Sequence, residues 1–503
     1  MRQIPSALLV TTALAVALVV PAFETTGSRS DGGDRHGDSR TATSPPSDAR
    51  RGAALRGRGD APHEDGDGHG HEDGDGRGPK DGDGDGIRRA PGAVARHRPA
   101  SSSSPPPGTR GAVPALPAGP CALPGSVTGA SEAAATPPGF VRPTGRVRAL
   151  TVLIDFPDVR AGISPRERYS EFFPAATRFF RGSSYGRLDY RSTPVLKWIR
   201  MSRPLASYRV GRGTSFNPAS KSGYYALAKE IVHAVDRPVD FRAYDLVNVL
   251  VTPQAGPPAT ENVWSVTFSG GPLGLKTGDG THLKNVSFIW SRQTGPSAYR
   301  VLNHENAHSF GLPDLYFTDG RADPHPVGHW DPMDVDWGPE NDFLGWHKWK
   351  LGWLAPDQVD CVHRSGSVTT HRLTAAAVPG GTKIAVVPVS KHRAYVVEAR
   401  RAGPLDPTAC RPGVLVYRVA TDVPSGKGPV RVSDATPKSA GCFHKDPNVH
   451  AGLTDATYRP GQTFRADGVS VRVLEDRPTV GSTGSTGSTA DTFRVRITTP
   501  RQH

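Results

Sequence analysis

From Glu24 to Ala118 the chain contains no Phe, Tyr or Trp. Gly, Asp, Arg, Ser, Pro and His alternate there instead, and such a stretch cannot bury enough apolar surface to offset the entropy of ordering its backbone. The foldable part of the 503-residue chain therefore begins near residue 119, a length that suits two domains rather than three. Charge divides at the same boundary. The first 118 residues hold 15 basic and 15 acidic side chains, so the net charge of +13 belongs to the remainder. A basic surface of that size can attract nucleic acid, anionic cell surfaces or acidic substrates. No recognition helix, zinc-finger spacing or aromatic RNA-binding signature accompanies it, so the charge reads as Arg spread over solvated surface, with no nucleic-acid partner expected.

Residues 1–22 read as a signal peptide. Arg2 supplies the positive start, Ala7 to Val20 is apolar but for Thr11 and Thr12, and Val20-Pro21-Ala22 offers small residues for cleavage. That core is short for a transmembrane helix and no other run reaches about 18 apolar residues, so the expectation is a secreted, extracellular protein without stable membrane insertion. Its four cysteines, Cys121, Cys361, Cys410 and Cys442, then meet an oxidising compartment. Three pairings are possible and the sequence does not select one. Cys410 with Cys442 would close a short loop; Cys121 with Cys361 would tie the front of the folded part to its later half.

Residues 23–118 form a low-complexity linker or pro-region. Within it Asp81, Asp83, Asp85 and Gly86 match positions of an EF-hand loop, but the twelfth position is Gly92 rather than a bidentate Glu, so no calcium site is assigned. Beyond Cys121 strands and helices mix. Val147–Phe156, Leu246–Thr252 and Val286–Trp290 read as buried strands. Arg166–Phe180, Tyr224–Val235 and Ser297–Phe310 carry helical periodicity, the last between Pro296 and Gly311. After about Ala355 only short β-rich runs remain: Lys383–Val389, Ala394–Glu398, Val414–Val419, Val469–Leu474 and Phe493–Ile497. Gly/Pro/Asp loops separate them, and Gly-Ser-Thr repeats fill Gly481–Thr489. The expected architecture is an α/β (α+β) domain over 119–354 followed by a small all-β domain over 355–503.

The chemistry concentrates in His304-Glu305-Asn306-Ala307-His308. Four residues apart on a helix, His304 and His308 share a face and can offer two imidazoles to one ion, while Glu305 is free to act as general base on water. Gly311 can turn the chain out of the helix, and Asp314, ten residues after His304, can return as third ligand. This is the metzincin arrangement with Asp for the third His. Asp319, Asp323 and His325 lie close enough in sequence to compete with Asp314. Gly328-His329-Trp330-Asp331-Pro332-Met333-Asp334 places one of only three methionines, Met333, in a turn downstream, where metzincins carry a Met beneath the metal.

These stretches, with Phe343–Leu354, resemble the immune inhibitor A peptidase family of bacterial secreted zinc metalloproteases. Leu150–Asp158 looks like that family's first catalytic strand, Ser184–Leu188 like its SYG segment, and Gly413–Val419 like a strand after the catalytic domain. The resemblance covers roughly residues 145–420. It implies a metzincin-like fold, one catalytic zinc (Zn2+) on His304, His308 and Asp314, Glu305 as general base, Met333 as the Met-turn residue, and protein or peptide substrates. Two departures stand out. Tyr244–Val249 is apolar where the family often carries a calcium loop, which leaves calcium (Ca2+) open, and His329 stands where the family commonly has an acidic or small residue.

The expected activity is hydrolysis of internal peptide bonds, with the strand around Val286–Trp290 as the upper rim of the cleft. Pro120-Cys121-Ala122-Leu123-Pro124 also admits a latency switch in which a free Cys121 thiolate caps the zinc, in competition with a disulfide to Cys361. Two rival readings are a catalytically silent zinc-binding secreted protein used for adhesion or binding, and a cell-surface binding module relying on the C-terminal β domain and the basic surface.

Overall fold

The apolar run that opens the folded part is buried on both faces. In the computed structural model, which describes residues 116–293, 295–339, 341–474 and 491–501, that run is strand β1 (Gly145–Asp155), buried throughout from Ala149 onward. The expected signal peptide, nearly all of the expected linker and the Gly-Ser-Thr repeats lie outside the described residues. The helical pattern over 166–180 becomes two helices, α1 (Pro165–Ser170) and α2 (Ala175–Ser183). Pro174 parts them, since it has no N–H for a continuous helix. Then come β2 (Leu188–Arg200), α3 (Gly223–Val235), β3 (Leu246–Val251), β4 (Val266–Phe268), β5 (Val286–Ile289), α4 (Arg300–Ser309) and α5 (Gly345–Lys350).

Strands β1 to β5 form one sheet in the order β2-β1-β3-β5-β4, parallel except for β4, which runs antiparallel to β5. Alternation along each strand divides its side chains between two apolar clusters. Leu150, Val152 and Ile154 of β1, with Val247 and Val249 of β3, meet Leu227, Ile231 and Val235 of α3. Ala149 and Leu153, with Leu250 and Ile289, face Val301, Leu302 and Ala307 of α4. Covering both faces is what a parallel sheet requires, and it explains why β1 and β3 read as unbroken apolar runs. The strand expected at the rim of the cleft, β5, is internal, lying between β3 and β4. The edge of the sheet on that side is β4, whose three residues are too few to stand out as an apolar run.

The chain continues through β6 (Val359–Cys361), β7 (Val368–Thr374), β8 (Ile384–Ser390), β9 (Arg393–Arg400), β10 (Gly413–Ala420), β11 (Val430–Ser433), β12 (Thr463–Ala466), β13 (Val469–Val473) and β14 (Thr492–Thr498). They make a five-stranded sheet, β11-β10-β9-β8-β6, and a four-stranded sheet, β12-β13-β14-β7. Ala385, Val387, Val397 and Val416 of the larger sheet pack on Leu373, Val471 and Ile497 of the smaller. The alternate residues Val386, Val396, Leu415 and Tyr417 point the other way, into the cluster that holds α4, Met333 and Trp346. One core thus runs from the parallel sheet into the C-terminal half.

Buried charges are paired where the halves meet. Glu398 accepts from the Gly345 N–H at 2.6 Å, the Tyr417 hydroxyl at 3.0 Å and Arg400 at 2.8 Å, as buried ions require. Disulfides join Cys121 to Cys361 and Cys410 to Cys442. The free Cys121 of a latency switch is therefore absent: its sulfur is committed to Cys361.

Candidate metal centre

Helix α4 is anchored to the sheet through Asn306, inside the HExxH run. Its amide donates to Asn248 Oδ1 at 2.8 Å and to Ser287 at 3.2 Å, and its carbonyl oxygen accepts from the Tyr190 hydroxyl at 2.5 Å. Every polar atom named lies in the buried interior, where an unmade hydrogen bond would cost about 1–3 kcal/mol. Rotation of α4 about its axis is thereby restrained, and His304, Glu305 and His308 inherit its orientation. The helix stops where the sequence predicts. Gly311 has φ of +91°, and a Cβ there would lie 2.6 Å from Thr136 Cγ2. Both the backbone and the space demand glycine.

Past that turn Asp314 comes back to the helix. His304 Nε2 and His308 Nε2 each stand 3.2 Å from Asp314 Oδ1, and the three side chains form a group able to hold a metal ion. Each imidazole has its other nitrogen engaged: His304 Nδ1 lies 2.9 Å from the Pro332 carbonyl and His308 Nδ1 2.8 Å from the Leu312 carbonyl. A carbonyl only accepts, so Nδ1 is the protonated nitrogen, and in the neutral ring Nε2 presents a lone pair. Asp314 Oδ1 is buried and takes no hydrogen bond from the protein. Two imidazole nitrogens and a carboxylate oxygen thus converge, an arrangement suited to a cation, and the buried Tyr316 hydroxyl also lies within hydrogen-bonding reach of the Asp314 carboxyl. In the absence of a metal that cation is a proton. Burial opposes charge on His304, yet Asp314 outweighs it and pushes its pKa up to about 10, while the His308 imidazolium holds the Asp314 carboxyl well below the usual carboxylate range against burial. A metal ion held by two imidazoles and one carboxylate would replace those protons.

Met333 sits in the turn that supports His304. The carboxylate of Asp331 accepts from the Met333 N–H at 2.8 Å and the Leu344 N–H at 2.8 Å, and it also meets His347 Nδ1 at 2.7 Å. The Met333 carbonyl accepts from Leu315 N–H at 3.0 Å. This brings the Pro332 carbonyl under His304, and Met333 itself is fully buried in the core. The rival third ligands are placed elsewhere. Asp319 pairs with Arg321, Asp323 is exposed, and His325 pairs with Asp334 at 3.1 Å. His329 is buried and accepts the His450 N–H at 2.8 Å; burial pushes its pKa down to about 3, so it stays neutral.

Glu305 is buried beside the two histidines, and burial raises its carboxyl above the usual range although both imidazoles pull it down. Thr267 Oγ1, from β4, lies 2.8 Å from Glu305 Oε2 and 2.8 Å from the Glu305 carbonyl. The flanking Ser265 and Ser269 bond the Trp290 N–H and the His308 carbonyl. Sequence reasoning passed over this strand. The signal was the alternation Ser265-Val266-Thr267-Phe268-Ser269, a period of two over five residues.

The only helices among the described residues are too short or too polar to cross a membrane. No family model matches this chain, and no curated protein is significantly similar to it.

Proposed function

We propose that the protein is a secreted zinc-dependent metalloendopeptidase of the immune inhibitor A type, with a metzincin-like catalytic half, acting on extracellular proteins or peptides. One observation carries this reading: two lone-pair nitrogens and an undonated carboxylate oxygen converge beside a buried glutamate on the same helix. Zinc suits a donor set of two imidazoles and one carboxylate and keeps a further position open at catalytic sites. When bound, it supplies Lewis acidity that makes water a nucleophile near neutral pH and polarises a peptide carbonyl.

The chain's own residues do the rest. Glu305 accepts a proton from the attacking water and passes it to the leaving amine, and its raised pKa suits both transfers. Thr267 steadies the carboxylate between those states. Strand β4 pairs with β5 on one side only, and its other edge offers main-chain groups to an extended substrate. Hydrogen bonds to the peptide backbone align the scissile bond without reading side chains.

The test is hydrolysis of casein or gelatin by the secreted protein, wild type beside Glu305→Ala, with zinc per chain measured on both. The expected result is one zinc in each and activity lower in the variant by about a hundredfold to ten-thousandfold. Zinc in both with cleavage by neither, even after the N-terminal linker is trimmed, would establish a binding protein instead.

A further inference from the structure

Asp314 is held by a residue more than a hundred positions away. Between β10 and β11 the chain turns through residues 421–429 and lies along the segment that follows α4. Ser425 Oγ accepts from the Asp314 N–H at 2.9 Å and donates its own proton to Asp314 Oδ2 at 3.0 Å. The Gly426 N–H donates to the Asp314 carbonyl at 3.1 Å, and the Gly426 carbonyl accepts from Thr318 N–H at 3.0 Å. Phe317 and Lys427 close an antiparallel bridge beside them. Main chain and side chain of Asp314 are therefore both fastened to this turn.

A hydroxyl has one proton, and that of Ser425 is committed to Oδ2. The other carboxylate oxygen, Oδ1, keeps no protein donor and is the one that stands 3.2 Å from both imidazoles. Ser425 thus distinguishes two chemically equal oxygens, engaging one and leaving the other for a cation. Partners that orient a metal-binding carboxylate in this way typically change metal affinity 10–100-fold when removed.

We infer that Ser425 is a positioning residue of the metal centre: the β10–β11 turn clamps Asp314 so that Oδ1 aims at His304 and His308, and the C-terminal β half completes the site. The inference rests on the reading of His304, His308 and Asp314 as metal ligands, and the experiment separates the two. Zinc affinity of the full-length protein is measured by competition with a chromogenic chelator for wild type, Ser425→Ala and Ser425→Thr, alongside thermal unfolding of each metal-free protein. Ser425→Ala is expected to bind zinc about 10–100-fold more weakly. Ser425→Thr, which keeps the hydroxyl, is expected to stay close to wild type, and metal-free Ser425→Ala to remain folded with an unfolding temperature only a few degrees lower. Equal affinity in Ser425→Ala overturns the clamp, as does a Ser425→Thr that loses as much affinity as Ser425→Ala. A wild type that binds no zinc overturns the ligand assignment, and the clamp falls with it.

Discussion

His304 and His308 on α4 and His347 on α5 are all buried imidazoles, yet their surroundings make them opposites. The α4 pair give Nδ1 to main-chain carbonyls and turn both Nε2 atoms on one carboxylate oxygen, where a proton or a metal ion can lie between them. His347 lies between two carboxylates, Nδ1 2.7 Å from Asp331 and Nε2 3.0 Å from Glu132. Both of its nitrogens must carry protons. Burial disfavours that charge, but Asp331 and Glu132 outweigh burial and push the pKa up to about 10. One set is arranged to receive a cation; the other is the cation. The difference lies in the number of acceptors around each ring, which residue type does not reveal.

Exchanging histidine for leucine at each place should separate the two roles. His347→Leu takes away the imidazolium that bridges buried Asp331 and Glu132, and its unfolding free energy is expected to fall by about 3–5 kcal/mol in denaturant titration. The pH dependence has a definite sign. The folded pKa of His347 lies above the unfolded value near 6.5, so its contribution is complete below pH 6.5 and is lost as pH rises towards about 10. Across that window wild type should lose up to about 1.4 kcal/mol per pH unit more than His347→Leu does, the remaining slope of the variant coming from groups such as His304. If the two proteins share one alkaline profile, His347 is not a buried cation held between Asp331 and Glu132.

His308→Leu should do the reverse. Zinc binding, followed by chelator competition, is expected to weaken at least about a hundredfold, because one of the three protein ligands is gone. The metal-free fold should lose less than it does in His347→Leu, since Asp314 keeps His304 as a partner at 3.2 Å. A smaller effect belongs to Thr267→Val, which takes away a hydrogen bond to the Glu305 carboxylate. Peptidase kcat is expected to fall about tenfold with zinc content unchanged, in line with hydrogen bonds to charged groups, and Thr267→Ser should restore it.

Much of the architecture could be read from the chain, for a reason visible in particular elements. Strands β1, β3 and β5 are apolar on both faces, and α3 shows its apolar stripe, so local pattern and burial agree. The same holds for β8 to β10, each placed between two apolar layers. Strand β2 escaped notice because Ser192-Thr193-Pro194 interrupts the short alternation of Leu188–Arg191, and a Pro within a run argues against a strand. Strand β4 escaped because three residues make no run, and the cleft rim was consequently assigned to β5.

At the site, the helix-borne residues were legible because three- and four-residue spacings put His304, Glu305 and His308 together whatever the rest of the fold does. The return of Asp314 was legible too, since Gly311 ends the helix and leaves a short path back. Sequence alone therefore determined which atoms could serve one ion. It left open whether Asp314 or its neighbours would close the set, and how the cysteines pair. It also gave no sign of Ser425 or of the Asp331–His347–Glu132 contact. Those depend on contacts between residues as much as 215 positions apart. Their direction is set by sheet order and by packing of the two halves on one core, and only the folded chain brings donor and acceptor within reach.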